Sequence, residues 1–457
     1  MNNKSKRAEV LEQMFDQVHR VPIESWLSNH GFQLTRKGQY LYMLCPFHPD
    51  SRLGSFLVHP SDERTKRANS WHCFTDNIGG NLVSFVSRYN GVRYLDAAFE
   101  IAVEYHIITA EERESLFRKR WDQSVIKKIQ QREEDRTKVV VERADEDVIR
   151  AVYQALPKVC GLSRAHKTHL LERRKLGPAD LTDFFTFPTR RKDLVHEILL
   201  YLQVSTTPEF LARAESQLAI VPGFFRDDKK GKIDFLSYKG FGFVLRDENG
   251  NPVGIQVRLD EKKDDSRRYV WFSSSFAAWQ EGLSGGSPSG APGGYIPSKT
   301  SSNQSPKLCI TEGRFKAEAL SRQGFDAVYV SGVSAYQNVL KMIERIQSGR
   351  TVFLFFDSDM MGNPAVHKQL EALHQELEKR KYPHKVVCWR KELGKGIDDA
   401  FANPELDPKH QVVAFSYDTF DKVYQEAYQE VQKEHSYQDG DIFTNALQKS
   451  VEEKLHL

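Results

Sequence analysis

The sequence predicts a multi-domain α/β protein with three parts: an N-terminal ribbon with helices, a mixed α+β middle subdomain and a parallel α/β sheet near the C-terminus. Residues 307–389 alternate apolar runs with amphipathic segments, an order typical of a parallel, doubly wound sheet. Residues 241–258 contain two strand-like runs around an Asn-Gly pair, which predicts a hairpin. Residues 45–80 contain two short cysteine-bearing turns around a strand-like run, which predicts a small ribbon.

Composition and charge narrow the class of protein. The chain has 457 residues, enough for two to four domains, and a formal net charge of +3. A net charge this small means that nucleic-acid binding would need local basic surfaces. Five cysteines, two of them in metal-like turns, argue against a disulfide framework. The chain has neither an apolar run of about 18 residues nor an apolar N-terminal core, so we predict a cytoplasmic protein without membrane association.

Three acidic residues in the C-terminal third follow strand-like runs. The run 307–311 ends in Glu312, and the run 351–356 ends in Asp357 and, two residues later, Asp359. Such apolar runs predict strands buried on both faces of a parallel sheet. The carboxyl ends of parallel strands meet at one edge, where ligands bind. Three carboxylates at that edge predict a site for Mg²⁺, or Mn²⁺, completed by substrate phosphates.

The elements around these acids follow a recognisable order. The pattern predicts, in turn, helix 314–323, strand 327–332, helix 335–348, helix 365–381 and strand 385–389. Asp398 and Asp399 come shortly after the last strand. This order resembles the Toprim domain of primases, topoisomerases and some nucleases.

The Toprim resemblance implies roles for individual residues. It implies that the catalytic acids are Glu312, Asp357 and Asp359 and that Mg²⁺ is held by Asp357, Asp359 and Asp398. Glu312 would assist metal binding or activate the attacking 3′ hydroxyl. Lys316 follows Glu312 by four residues, and together with Lys395 it is predicted to bind substrate phosphates.

Two N-terminal turns have the spacing of metal ligands. One contains Cys45 and His48, and the other contains Cys73 and Asp76 before a Gly-Gly pair. Paired turns of this kind hold tetrahedral Zn²⁺. They resemble the zinc ribbon of DnaG-type primases, whose fourth ligand is a cysteine where this chain has Asp76. The predicted zinc ligands are these four residues. The alternatives are donation by His72 or His59, or a ribbon that has lost its metal.

The middle region contains candidate phosphate-binding arginines. Arg258 ends the second hairpin run and Arg268 precedes the next strand-like run. The region resembles the subdomain that precedes Toprim in the DnaG catalytic core, which implies that both arginines face nucleotide phosphates or template. An exposed strand arginine is the alternative interpretation. A basic cluster is interpreted as a solvated helix face, with phosphate contact as the alternative; it comprises Arg164, Lys167, Arg173, Arg174 and Lys175.

A glycine-rich segment does not indicate an ATPase. Residues 293–300 end in Ser-Lys-Thr and superficially resemble a phosphate-binding P-loop. Ser298 occupies the position of the required glycine, and no helix-forming sequence follows. The segment is therefore predicted to be part of a long loop.

The combination of ribbon, basic middle region and Toprim pattern resembles a DnaG-like DNA primase over roughly residues 20–405, nearest to primase-like proteins of mobile elements and phages. The resemblance implies primer synthesis from nucleoside triphosphates on single-stranded DNA, with a separate replicative helicase as a candidate partner. The alternatives are a Toprim metal-dependent nuclease and a non-catalytic DNA-binding accessory protein of a mobile element. The predicted segments are a zinc-binding domain (1–110), a charged helical linker (111–147), a core N-terminal subdomain (148–282), a loop (283–306), the Toprim domain (307–407) and a helical tail (408–457).

Overall fold

The chain folds as two compact units, Met1–Val140 and Val141–Leu457. The computed structural model describes residues 3–47, 53–62, 68–74, 78–117, 131, 142–188, 193–261, 268–275, 277, 282–300, 305–405, 407–434 and 440–457. The division between the units falls inside the segment that the sequence predicts as a charged linker.

The first unit is an antiparallel ribbon with helices. Its five strands pair in sequence order and are β1 (Thr35–Lys37), β2 (Tyr40–Met43), β3 (Phe56–His59), β4 (Ser70–Cys73) and β5 (Ile78–Gly80). The described helices are Asn3–Val18, Ile23–Asn29, Leu82–Asn90, Tyr94–Glu104 and Ala110–Phe117.

An aromatic core joins the ribbon to the helix Leu82–Asn90. The ring of Trp71 stacks on Phe56, with centroids 5.2 Å apart, and meets the edge of Phe85 on the helix at 5.7 Å. The Trp71 indole N–H donates to the carbonyl of Asn81 at 3.0 Å. The Asn81 side chain caps the helix by accepting from the backbone N–H of Ser84, the third helical residue, at 2.9 Å. These contacts fix strand β4, which carries Cys73, against the helix.

The second unit begins with helices and two small sheets. The described helices of this part are Glu146–Cys160, Arg164–Thr168, Leu194–Ser205 and Pro208–Gln217. One sheet contains β6 (Phe184–Thr186), β9 (Gly240–Arg246), β10 (Pro252–Leu259) and β11 (Tyr269–Trp271). The other contains β7 (Phe224–Asp227), β8 (Lys232–Phe235) and β12 (Leu283–Ser284). The predicted hairpin is confirmed, because β9 and β10 are antiparallel neighbours.

Strand β6 was not predicted from the sequence. Phe184 and Phe185 are both buried, and β6 pairs with β9. The opposing Gly242 leaves the space that the Phe185 ring occupies, since a Cβ there would collide with the ring. A three-residue strand has no visible period, so its long-range packing decides it.

The main sheet of the second unit has the order β13-β15-β14-β16-β17-β18. Its strands are β13 (Gly294–Ile296), β14 (Lys307–Glu312), β15 (Phe325–Val330), β16 (Val352–Phe355), β17 (His384–Cys388) and β18 (Val413–Phe415). The four central strands are parallel, and the two edge strands are antiparallel to their neighbours. The described helices of this region include Arg314–Arg322, Leu340–Ile346, Pro364–Lys379 and Ile397–Ala402.

Both faces of the central strands are buried, as predicted from their apolar runs. Leu308 and Ile310 belong to one apolar cluster, and the intervening Cys309 belongs to another. The second cluster includes residues of β6 and β9, so the middle sheet packs within the same unit. The fold class predicted from the sequence is confirmed: a ribbon with helices, a mixed α+β subdomain and a parallel α/β sheet.

The glycine-rich segment 283–306 contains more than the predicted loop. It includes strand β13, which pairs antiparallel with β15. A Cβ at Gly294 would collide with the ring of Tyr329, so only glycine lets the two strands approach this closely. The prediction was wrong here because glycine and serine lower strand propensity locally.

The C-terminal tail covers the main sheet. Its helices Tyr417–Glu434 and Gly440–Lys454 supply Phe420, Tyr424 and Leu447 to the apolar cluster of the sheet. Among the described residues, none of the helices combines the length and apolarity needed to cross a membrane.

Candidate active site

A cavity of about 310 Å³ opens at the carboxyl ends of β14 and β16. Its lining includes Glu312, Lys316, Asp357, Lys395 and Asp398. In the strand order β15-β14-β16-β17, the chain runs from β14 to β15 on one side and then to β16 on the other side of β14. The gap between β14 and β16 is therefore the topological switch point, where open α/β sheets bind ligands.

Glu312 reaches the cavity because it is the last residue of β14. Gly313 follows with φ of +78°, a conformation that favours glycine, and its N–H donates to the carbonyl of Val330 at 2.7 Å. The chain then enters the helix Arg314–Arg322, whose first turn brings Lys316 back over the strand ends.

The two lysines predicted to bind phosphates lie against the aspartates. Lys316 Nζ is 2.5 Å from Asp357 Oδ1, and Lys395 Nζ is 2.7 Å from Asp359 Oδ2. The backbone N–H of Ser358 donates to the carbonyl of Lys395 at 2.9 Å, which holds the loop after β17 beside the end of β16. Asp359 does not line the cavity itself but lies next to it through its pair with Lys395, which does.

The charges in the cavity perturb one another. Burial disfavours the charge of Lys316, but Asp357 and Glu312 outweigh it and raise the pKa of Lys316 above its usual value. Burial, and then the nearby charge of Asp399, raises the pKa of Asp398, although Lys316 and Arg174 oppose this. Asp398 is thus a carboxylate whose ionisation is costly in the fold, as expected where acids converge.

Arg174 forms a wall of the cavity that the sequence interpretation missed. Its guanidinium lies 3.2 Å from Asp398 Oδ2 and 4.7 Å from the ring centroid of Phe315. The solvated-face interpretation of the basic cluster is therefore wrong for Arg174. A signal was present in Leu170 and Leu176, which flank it and are buried, but the pairing with an acid 224 residues away could not be read from the sequence.

Gln256, Tyr269, Ser331 and Asp399 also line the cavity and were not predicted as binding residues. Gln256 and Tyr269 come from the antiparallel strands β10 and β11 of the middle sheet. They bring neutral hydrogen-bonding groups to a cavity otherwise dominated by charge.

Arg258 and Arg268 lie beside the cavity and are not among its lining residues. Arg258 pairs in register with Tyr269, is only 7% exposed and stands over the ring of Phe241 at 5.7 Å. The exposed-arginine alternative is wrong for Arg258 but describes Arg268, which is exposed. Burial lowers the pKa of Arg258, and the charges of Arg268 and Arg174 lower it further, although Tyr269 opposes them.

The positive charge next to the cavity is concentrated. Burial, followed by Arg258, Arg174 and Arg173, lowers the pKa of His169 to about 4. A neutral histidine among three arginines indicates a surface that attracts anions.

The acidic part of the cavity offers the ligand type of a hard divalent cation, and Asp357 is paired with Lys316 in this structure. Glu312, Asp357 and Asp398 offer carboxylate oxygens, the ligand type that Mg²⁺ prefers. Burial, and then the charge of Asp399, raises the pKa of Asp398, and a cation bound beside it would favour its ionised form.

The ribbon presents a sulfur pair that fits zinc. Cys45 Sγ and Cys73 Sγ are both buried and 3.6 Å apart. Two sulfurs bound tetrahedrally at about 2.3 Å would be separated by roughly 3.8 Å. His48 and Asp76, the other predicted ligands, lie outside the described residues.

The alternative zinc donors are poorly placed. His72 precedes Cys73 on β4, and successive side chains of a strand point to opposite faces. His59 pairs with Ser70, three residues from Cys73, which is roughly 10 Å along the strand.

Comparison with known proteins supports the zinc ribbon. Residues 7–116 match the family described as CHC2 zinc finger, which supports Zn²⁺ in the ribbon. Residues 299–407 match the family described as Domain of unknown function (DUF3854). The DNA primase of Mycoplasma genitalium is 20% identical over 379 residues, or 78% of this chain and 54% of the relative. The DNA primase of Aquifex aeolicus is 43% identical over 61 residues, or 13% of this chain and 11% of the relative.

The chain is similar to DNA primases. The predicted resemblance to DnaG-like primases is confirmed at this level, and the chain spans about half the length of the Mycoplasma relative. A crystal structure of the zinc-binding and RNA polymerase domains of the Aquifex aeolicus primase covers 97% of both chains, at 18% identity and a TM-score of 0.38.

Proposed function

We propose that this protein is a DNA primase, a nucleotidyltransferase that joins nucleoside triphosphates into short primers on single-stranded DNA. The observation that carries the proposal is the convergence of Glu312, Asp357 and Asp398 at the switch point of a parallel sheet, in a cavity shared with Lys316 and Arg174. Phosphoryl chemistry needs this combination of hard acids and cations. A CHC2 zinc finger in the same chain favours a primase over other enzymes with such an acidic site.

The reaction forms a bond between the 3′ hydroxyl of one nucleotide and the α-phosphorus of the next, with pyrophosphate leaving. In this proposal Glu312 receives the proton of the attacking hydroxyl. Mg²⁺ or Mn²⁺, held by Asp357 with Asp359 and Asp398, would neutralise phosphate charge and favour in-line displacement. Lys316 remains protonated because its pKa is raised, so it carries a fixed positive charge toward the phosphates.

The arginines extend the cationic surface away from the acids. Arg174 lies at the cavity wall, and its planar guanidinium can donate two parallel hydrogen bonds to a phosphate. Arg258 on β10 and Arg268, directly before β11, continue the positive region, and we assign them to the backbone of the template or to a triphosphate. In this proposal the zinc ribbon contacts the template, and a separate replicative helicase is the partner protein.

Primer synthesis by the purified full chain tests the proposal. The protein is incubated with single-stranded DNA, labelled nucleoside triphosphates and Mg²⁺ or Mn²⁺, and the products are separated by size. New oligonucleotides that disappear in Asp357→Asn and persist in the exposed control Glu405→Gln are the expected result. Shortened DNA would instead indicate a nuclease, and neither product would indicate a non-catalytic binding protein; each outcome contradicts the proposal.

A further inference from the structure

Two histidines and a glutamate come together near the amino end of β17. The acids of the cavity lie at the opposite, carboxyl ends of the parallel strands. His374 and Glu378 lie one turn apart on the helix Pro364–Lys379, and His384 is the first residue of β17. One ligand atom from each residue lies within 4.8 Å of those of the other two. The acids follow the carboxyl ends of the strands, whereas His384 begins its strand, so about 13 Å of β17 separates the cluster from that edge.

Hydrogen bonding fixes which nitrogen of His384 is available. Its Nδ1 is 2.8 Å from the carbonyl oxygen of Tyr382. A carbonyl can only accept, so Nδ1 carries the proton and Nε2 of the neutral ring presents a lone pair. That lone pair points to Nδ1 of His374, 2.8 Å away. A backbone carbonyl on the far nitrogen is the usual support of a metal-binding histidine, because it sets the tautomer and the ring orientation.

The neighbouring elements hold His374 in place. Its ring stacks on Tyr417, the first residue of a tail helix, with centroids 3.9 Å apart and planes inclined by 10°. Burial, and then the proximity of His384, lowers the pKa of His374, which favours the neutral ring. Metal ligation requires the neutral form of imidazole.

Glu378 opens the cluster to solvent. Its side chain is 64% exposed, whereas that of His384 is 2% exposed, and its Oε1 lies 3.8 Å from His384 Nδ1. Because it is exposed, this carboxylate can rotate from the Nδ1 side of His384 toward Nε2 when an ion enters, and a water can supply the fourth ligand. The nitrogens of His374 and His384 need to separate by roughly 0.5 Å to reach tetrahedral spacing, which small side-chain rotations provide.

We propose that His374 Nδ1, His384 Nε2 and a Glu378 carboxylate oxygen form a second transition-metal site, separate from the ribbon and from the acidic cavity. Two imidazoles and one carboxylate select a borderline ion such as Zn²⁺ over Mg²⁺. On binding, His374 moves its proton from Nδ1 to Nε2 through solvent, so no net proton is released. The ion ties the helix Pro364–Lys379 to the start of β17, next to the tail helix that contacts His374. This inference does not depend on the proposed primase activity.

Zinc retention by the full chain tests the site. Wild type and a His374→Gln/His384→Gln variant are equilibrated with excess Zn²⁺ in millimolar Mg²⁺, desalted and analysed for bound zinc. Wild type should retain one zinc per chain more than the variant, and the exposed control His410→Gln should match wild type. Equal zinc in wild type and the double variant would overturn the proposal and leave a simple hydrogen-bonded histidine pair.

Two further measurements protect the test against a folding defect. With Co²⁺ as the probe, the sulfur-to-cobalt absorption of the ribbon should be the same in wild type and the double variant, whereas the visible bands of the nitrogen-ligated ion should be lost only in the variant. Glu378→Gln, at an exposed position, should lower zinc affinity at this site by about tenfold or more, since loss of an outer-shell partner alone costs 10–100-fold. Unchanged affinity in Glu378→Gln would remove the carboxylate from the site.

Discussion

The ribbon and the acidic cavity are built in different ways. In the ribbon, Cys45 follows β2 and Cys73, 28 residues later, ends β4; both strands pair with β3, and the two sulfurs lie 3.6 Å apart. In the cavity, Arg174 and Asp398 are 224 residues apart and come from different layers of the second unit. The first site is a local motif and the second is a product of topology. The ligands of a local motif have a spacing that can be recognised in the sequence. For a site formed by topology, the sequence shows only which residues follow the predicted strands.

The largest expected effect is on zinc binding and stability of the ribbon. Cys45→Ser/Cys73→Ser should lose one zinc per chain relative to wild type and unfold the first unit at lower temperature, since structural zinc contributes about 10–16 kcal/mol of folding free energy in isolated zinc-finger peptides. Metal analysis and thermal unfolding followed by Trp fluorescence check this. Zinc content equal to wild type would show that the sulfur pair does not hold metal.

The next largest effect is expected on primer synthesis when one acid of the cavity is replaced. Asp357→Asn and Glu312→Gln should lower primer synthesis by on the order of 10³-fold, because each removes several kcal/mol of charge stabilisation. Asp357→Asn also removes the carboxylate that pairs with Lys316, so its unfolding midpoint should fall, whereas Glu312→Gln leaves that pair in place and should change the midpoint less. Initial rates with labelled nucleotides measure the loss, and wild type treated with chelator should behave in the same way. Synthesis at the wild-type rate in either variant contradicts the assignment.

The next prediction concerns a buried arginine that connects the middle sheet to the helix Arg314–Arg322. Arg314 is 6% exposed, donates to the Val244 carbonyl at 2.7 Å and pairs with Asp183 and Glu318 at 3.2 and 3.3 Å. Arg314→Leu leaves two buried acids without this partner and should lower the free energy of unfolding by about 3–5 kcal/mol. Urea denaturation measures it.

The matched change in the ribbon unit is Arg93→Ala, which removes the pair of an exposed arginine with Asp96. Stability should be nearly unchanged, because solvent screens such pairs. Similar losses in both variants would mean that burial does not set the strength of these ion pairs.

Of the two arginines beside the cavity, exposed Arg268 should affect binding more than folding, whereas buried Arg258 should affect both. Arg268→Ala and Arg258→Gln are each expected to weaken template or nucleotide binding by about 1.5–3 kcal/mol, the strength of a charge-assisted phosphate contact. The exposed strand residue Arg226 provides a control through Arg226→Ala. Fluorescence titration at two salt concentrations measures the effect. A large loss of stability with intact binding would make these arginines structural.

The smallest effect is a pH dependence at Asp398. Its pKa is raised by burial and Asp399, so ionisation destabilises the folded state at neutral pH and the penalty disappears as pH falls below the unfolded value. In the presence of chelator, Asp398→Asn should therefore raise the unfolding midpoint at pH 7, and the difference should vanish near pH 3. A difference that persists at pH 3 would point to a cause other than ionisation.

The sequence could predict features whose residues lie close along the chain. Glu312 and Asp357 directly follow apolar runs, and parallel strands bring such ends to one edge, so the cavity could be anticipated from two short stretches. Cys45 and Cys73 could be anticipated from their turns. Strand β6 and strand β13 could not, because three residues show no period and their neighbours in sequence favour other structures.

By itself, the sequence determined the fold class, the strand ends that bear acids and the paired cysteine turns, because hydrophobic period and ligand spacing act over a few residues. Only the tertiary structure decided that Arg174 pairs with Asp398 instead of lying on a solvated helix face. It also decided that His374, on a helix, contacts His384 at the start of a strand. Those contacts depend on the packing of whole elements. Burial and the nearest charges, which no local pattern contains, then determine whether each side chain is solvated, paired or able to bind an ion.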